Sequence, residues 1–330
     1  MSLKEDINFS LWCDFIEREF LENRFQEMIE EKAIYGATSN PAIFESSITS
    51  SLAYKQQLDM LKANDAKTIY EDLAVRDIKR AAELLKPLYD KNTNDGFVSL
   101  EVDPTLCDDA QATIEEGIRL NSMINCDNLM IKVPATKAGY VAMKELTSQG
   151  INVNATLIFS VEQAIECAKA LNEGINESNI ETKAVISIFV SRFDRLCDEL
   201  LVEKGLKKSK LGIMNATKCY HEINKFENEN IRTLFASTGV KGDELTASYY
   251  VDNLLYPNSV NTAPLATIED WIVDGSKEPS KIPSEEKCDK YFAELEKVGI
   301  NMNDVYSKLL TDGLEAFKVS FSDLLAKLTK

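Results

Sequence analysis

The chain has one histidine, His221, and that scarcity removes more chemistry than any other feature of its composition. Imidazole-based triads, His-Glu-x-x-His zinc sites and most histidine acid–base schemes would all have to rest on this one ring. Its neighbours, Lys218-Cys219-Tyr220-His221-Glu222, are helical and charged, so a surface position is expected. The seven cysteines (Cys13, Cys107, Cys126, Cys167, Cys197, Cys219, Cys288) are odd in number and form no Cys-x-x-Cys pair. Reduced thiols in a cytoplasmic protein are expected, rather than disulfides or a zinc site. Runs of about 18 apolar residues are missing, so no membrane span is expected. Met1 to Asn8 has neither an apolar core nor a small-residue cleavage site, so it does not read as a signal peptide. Gly-x-Gly-x-x-Gly and Walker A runs are missing too, which weakens nucleotide-binding readings. Internal repeats and low-complexity tracts are not found.

What is present is acidic and apolar. A net charge of −17 argues against nucleic acid or an anionic membrane surface as the main partner, although a pocket can still be locally positive. The 44% hydrophobic content supports a sizeable core, and 330 residues allow one large α/β domain or two smaller ones. With imidazole and metal clusters set aside, chemistry must run on lysine, carboxylates, hydroxyls and amides.

Strand-like segments alternate with helical ones along the chain. The strands are expected at residues 7–13, 33–38, 96–102, 129–134, 151–159, 183–190, 233–237 and, more weakly, 258–262. Helical spacing covers residues 15–32 and 108–123, and a region of several helices spans 41–89, with breaks near Ser47 and Asn64. Ser160-Val161-Glu162-Gln163 resembles a capping box, and the run from Ser191 to Asp194 opens its helix in the same manner. Residues 277–287, rich in Pro, Ser and charge, read as an exposed loop. Eight strands alternating with helices favour an α/β fold of the (β/α)8 TIM-barrel type over a doubly wound sheet. The expected organisation is one barrel domain over residues 1–330, with terminal helices from about 285 to 330 packed on it.

The stretch Leu129-Met130-Ile131-Lys132-Val133-Pro134 carries a lysine inside an apolar run. Alternation places Met130, Lys132 and Pro134 on one face and Leu129, Ile131 and Val133 on the other. Burial disfavours the charged form of any lysine, and a neutral amine is a nucleophile toward carbonyl carbon. The competing reading is a strand-end lysine that snorkels to solvent or pairs with a carboxylate. Polar residues gather at the ends of the other strands: Asp14 after the first, Thr38 and Asn40 at the second, Ser99 and Glu101 at the third. Asn154 and Thr156 lie in the fifth, Ser187 in the sixth and Ser237 in the seventh. Asn40 before Pro41 also fits a plain turn, and Asp14 and Glu101 fit helix-start or loop acids. In a barrel, however, the C-terminal strand ends are where reactive groups converge.

Gly36-Ala37-Thr38-Ser39-Asn40-Pro41-Ala42-Ile43-Phe44 resembles the first signature of the transaldolases, and the Lys132 stretch through Ala138-Gly139 resembles the second. Tyr140 stands where that second pattern usually has an aliphatic residue. The agreement runs from about Trp12 to Thr262, and its wording around Asn40 and Lys241 is most similar to the longer bacterial branch, sometimes fused to phosphoglucose isomerase. The resemblance implies transfer of a dihydroxyacetone unit between phosphorylated sugars, in the non-oxidative pentose phosphate pathway, without metal or organic cofactor. Sedoheptulose 7-phosphate and glyceraldehyde 3-phosphate would become erythrose 4-phosphate and fructose 6-phosphate.

It further implies that Lys132 forms the Schiff base, that Asp14 moves the C4-hydroxyl proton, and that Glu101 works with a water held near Thr156. Asn40, Asn154 and Ser187 would hold hydroxyls of the three-carbon unit, with Thr38 and Ser99 in support. Arg192 matches a phosphate-binding arginine. The second arginine common after the seventh strand is replaced here by Ser237-Thr238-Gly239-Val240-Lys241, which makes Ser237 and Lys241 the stand-ins. Phe189 stands where aldolase relatives carry a tyrosine, which favours transfer over release of free dihydroxyacetone. An aldolase of that kind and a sugar-phosphate-binding barrel without turnover are the alternative readings, and a monomer or homodimer is expected.

Overall fold

The computed structural model describes residues 2–329. Eight strands close into a parallel barrel: β1 (Ser10–Cys13), β2 (Gly36–Thr38), β3 (Phe97–Glu101), β4 (Leu129–Pro134), β5 (Val153–Ile158), β6 (Ala184–Phe189), β7 (Ile231–Ala236) and β8 (Ser259–Ala263). Each pairs with its sequence neighbour, and β1 closes the ring on β8 through Ser10–Val260 and Trp12–Thr262. A parallel neighbour requires a crossover, and helices supply it throughout.

Alternation sorts the side chains as the sequence predicts. Val98, Ile131, Val133, Ala155 and Ile186 face the helices and join the larger apolar cluster. Trp12, Phe97, Met130, Val185, Leu234 and Val260 fill the barrel interior. The Trp12 indole needs room from the next strand, and Gly36 gives it, since a Cβ there would lie 2.6 Å from the ring.

Several boundaries differ from expectation, each for a local reason. Residues 7–13 are not all strand: Leu3–Ile7 is a short helix capped by the Ser2 hydroxyl, and Asn8, in the left-handed region at φ 52°, turns the chain into β1. Residues 15–32 are two helices, Arg18–Glu22 and Arg24–Glu30, broken at Asn23. β2 begins only at Gly36. The capping box at Ser160 and Gln163 is formed. At the next helix, Ser191–Glu203, it is not: Val190 holds the cap position and the Ser191 hydroxyl pairs with Ser237 at 3.1 Å instead. The expected loop at 277–287 holds as far as residue 284, where the Ser284 hydroxyl caps helix Glu285–Lys297.

The chain finishes in a long helix, Met302–Leu328, packed on helices Pro41–Ser50 and Ala66–Lys91 and on β5. Gly313 allows the approach, because a Cβ there would stand 3.1 Å from Leu157 and 3.3 Å from the Arg192 guanidinium. None of the helices among the described residues is long and apolar enough to cross a membrane.

Candidate active site

The C-terminal ends of the strands open into a cavity of about 550 Å³. Lys132 sits at its wall, only 5% exposed, so the strand-end lysine does not snorkel into bulk water. Its Nζ donates to the Ser39 carbonyl at 3.0 Å and lies 3.6 Å from a Glu101 carboxylate oxygen. The Phe317 ring of the last helix stands 5.7 Å from the same nitrogen. Register explains the Glu101 contact, because Glu101 and Lys132 are paired residues of adjacent parallel strands and both point inward.

Burial pushes the Glu101 carboxyl up to about 7, with Lys132 pulling it back and Asp14 adding to the rise. Its two oxygens have no hydrogen-bond partner among the described residues. Asp14 follows β1, anchored by its backbone N–H to the Ala263 carbonyl at 2.9 Å. It accepts a 2.6 Å hydrogen bond from Thr38, whose hydroxyl also meets Thr262 at 2.7 Å. Desolvation raises the Asp14 carboxyl above its ordinary range, against the pull of Lys132 and the Thr38 hydroxyl.

A second chain of hydrogen bonds crosses the cavity floor. Ser187 donates to Asn154 Oδ1 at 2.6 Å, and Asn154 Nδ2 donates to Ser99 at 3.2 Å, which fixes the amide's orientation. Ser99 is thus a support behind the cavity wall, not a lining residue. Asn40 serves in two ways: it lines the cavity and caps helix Pro41–Ser50 by accepting from Ile43 N–H at 3.0 Å. Thr156 is fully buried, and its hydroxyl has no partner among the described residues. A register shift between Ala155 and Ile158 and a left-handed Leu157, φ 59°, follow it directly. A bulky non-glycine residue in that region is costly, and such strain gathers at functional sites.

The rim is cationic. Arg192, Arg195 and Lys241 line it with Ser191 and Ser237. With Lys132, four cations face one acid, Asp14, inside a chain of net charge −17. Arg192 lies over the Phe189 ring at 4.9 Å, and desolvation followed by repulsion from Arg195 lowers its proton affinity. Two guanidiniums one helical turn apart repel each other modestly, and an anion between them would offset that repulsion.

All twelve residues singled out from the sequence lie in or against this one region; Ser99 and Glu101 stand behind the wall and the other ten line it. His221 lies elsewhere, half-buried, with its ring nitrogen 2.8 Å from the Pro283 carbonyl. Arg195, Thr262 and Phe317 were missed. Arg195 follows Arg192 at a three-residue helical spacing, a signal the sequence does carry. Phe317 carried none, because tertiary packing alone brings it to the mouth.

These features define a parallel barrel enzyme with an enclosed amine, two carboxylates of raised proton affinity and a cationic rim, suited to a carbonyl substrate bearing an anion. A family model described as Transaldolase/Fructose-6-phosphate aldolase matches residues 11–328. The chain is 47% identical over 321 residues to a protein named Transaldolase from Helicobacter pylori (strain Shi470), covering 96% of this chain and 98% of that one. It is 47% identical over 335 residues to a Transaldolase from Campylobacter jejuni (strain RM1221), covering 97% and 99%. The chain belongs to the transaldolase/fructose-6-phosphate aldolase family.

Proposed function

We infer that the chain is a transaldolase, moving a dihydroxyacetone unit from a ketose phosphate to an aldose phosphate through a Schiff base on Lys132. The observation that carries this reading is the placement of Lys132 Nζ inside the cavity, 3.6 Å from Glu101, under a rim that holds Arg192 and Arg195. The amine adds to the ketone carbon. One proton passes from nitrogen to the carbonyl oxygen to give the carbinolamine, Glu101 supplies a second to its hydroxyl, water leaves, and an iminium remains beside the Glu101 carboxylate. Glu101, poised near about 7, holds either protonation state at neutral pH and so carries these protons in both directions.

Asp14 then takes the C4-hydroxyl proton. The C3–C4 bond breaks, its electron pair moves into the iminium to give an enamine, and the aldose leaves. An incoming aldehyde accepts the C3 carbon, Asp14 returns its proton to the new hydroxyl, and hydrolysis frees Lys132. Thr38 orients Asp14, while Asn154 and Ser187 hold hydroxyls of the three-carbon unit beside Asn40. Thr156 offers its free hydroxyl to the water that enters and leaves. Arg192, Arg195, Ser237 and Lys241 bind the phosphate.

Phe189 gives the cavity a ring without a hydroxyl, so water receives no proton relay there and transfer to an aldehyde is favoured over release. Borohydride reduction in the presence of fructose 6-phosphate, followed by mass mapping, tests the reading. An adduct on Lys132 is expected, and an adduct on another lysine, or none, defeats it. Product analysis with and without an acceptor aldehyde separates transfer from simple cleavage.

A further inference from the structure

Glu101 does not line the mouth cavity, and its contact with that side runs through Lys132. On its other side is a separate small chamber, roofed by Phe321 of the last helix and walled by Tyr70 and Ala74 of helix Ala66–Lys91. Its free volume is about 10 Å³, the size of one water probe. A buried carboxylate without a partner is costly, and both Glu101 oxygens are in that state among the described residues. The outer end of the chamber is a ladder of ion pairs. Lys67 meets Asp103 at 2.8 Å and Glu116 at 3.4 Å, and Arg119 meets Glu116 at 2.7 Å and Glu71 at 2.6 Å. The Lys67 and Arg119 side chains are 38% and 39% exposed, so the ladder ends in solvent.

We propose that this chamber seats one ordered water joining Glu101 to the Tyr70 hydroxyl and the Lys67–Glu116 pair, and that Glu101 exchanges protons with solvent through it while sugar phosphate fills the mouth. The inference rests on the reading of Glu101 as the proton carrier. Glu101 gives its proton to the water as the water gives one of its own to a rim carboxylate, Glu116 or Glu71. The reverse sequence reloads it, and only O–H bonds change. Tyr70 is a positioning residue for that water. The charged and titratable groups facing Glu101 are Lys132 and Asp14 from the mouth, and Tyr70, Lys67, Glu71, Asp103 and Glu116 from the chamber.

The test compares Tyr70→Phe, which keeps the ring's edge contacts with Phe44 and Phe321 at 5.8 and 5.4 Å, with Ala74→Leu, which fills the chamber. The readout is the rate of borohydride-trappable adduct formation on Lys132 with fructose 6-phosphate, followed across pH, with KM measured alongside. Both variants should slow adduct formation about tenfold at neutral pH and move the midpoint of its pH profile, with KM unchanged. A wild-type rate and midpoint in folded Tyr70→Phe overturn the proposal, whether or not Ala74→Leu folds. Glu101→Gln separates the two layers. If it forms adduct at the wild-type rate, the proton-carrier reading fails and this inference with it. If it is slow while Tyr70→Phe matches wild type, the chamber alone is refuted.

Discussion

Both ends of this barrel bury an ion cluster, and the two are finished differently. At the N-terminal end Arg232, 3% exposed, donates to the carbonyls of Asn94, Asn8 and Ser259 at 2.8 Å and to the Ser10 hydroxyl at 3.0 Å. Ser10 in turn donates to Asp95 at 2.7 Å, and Lys4 reaches Asn8 and Ser10. At the C-terminal end Lys132 makes one hydrogen bond, at 3.0 Å, and Glu101 and Thr156 hold buried oxygens with no hydrogen-bond partner among the described residues. Arg232 Nε lacks a partner among the described residues, but its other two nitrogens and Asp95 are bonded, so this cluster has little use for another molecule. An under-coordinated one in the same low-dielectric setting keeps its groups able to bond with something that arrives later. Fold stability is therefore assigned to the bottom cluster and reactivity to the top one.

Substitutions can break that contrast. The largest effect is expected from Lys132→Arg, which keeps the charge and the fold but cannot form an imine, because the guanidinium stays protonated. Transfer activity should fall on the order of 10⁴-fold with melting temperature nearly unchanged, and a coupled assay with erythrose 4-phosphate and fructose 6-phosphate reads it. Retained turnover would remove the amine from the mechanism. Arg232→Ala should do the reverse. It leaves the buried carbonyls of Asn8, Asn94 and Ser259 without their donor, while Asp95 keeps Lys4 and Ser10, and should cost about 3 kcal/mol in denaturant unfolding with KM of the folded protein unchanged. Normal stability would mean the bottom cluster is ornamental.

Glu101→Gln sharpens the comparison through pH. The Glu101 carboxyl is raised in the folded state from 4.5 to about 7, so folding favours its protonated form. The stability this confers is full below 4.5 and is lost as pH climbs through about 7. The glutamine variant should match wild type near pH 4.5 and exceed it at pH 8 by about 3 kcal/mol, while losing activity. A variant less stable than wild type at pH 8 would contradict this. The smallest effects belong to the rim. Arg195→Ala should raise KM for fructose 6-phosphate about tenfold, or about 1.4 kcal/mol, with kcat little changed. Exposed Lys241→Ala should raise it only about twofold. The opposite ranking would return the second phosphate contact to the segment after β7.

The sequence made the barrel and its reactive end readable for identifiable reasons. Period-two alternation around Lys132 separated barrel-filling Met130 from helix-facing Ile131, and Pro134 marked the strand end. The amide at Asn154 and the hydroxyl at Thr156 stood out because buried strands rarely carry them without a partner. What stayed hidden depends on side-chain partners far apart in the chain. Ser191 looked like a cap, but Ser237, forty-six positions on, claims its hydroxyl. Ile7 looked like strand because Asn8's left-handed turn cannot be read from an apolar pattern. Glu101's position behind the wall and the chamber beyond it depend on Phe321, which nothing near β3 announces.

The last helix completes the mouth. Phe317 beside the amine, Phe321 behind Glu101 and Gly313 against Arg192 all come from residues that leave the ribosome after the eight strands. Without residues 302–328 the barrel would carry the Lys132 amine uncovered on the side where Phe317 now stands. A competent mouth therefore needs the last helix as much as it needs the eight strands.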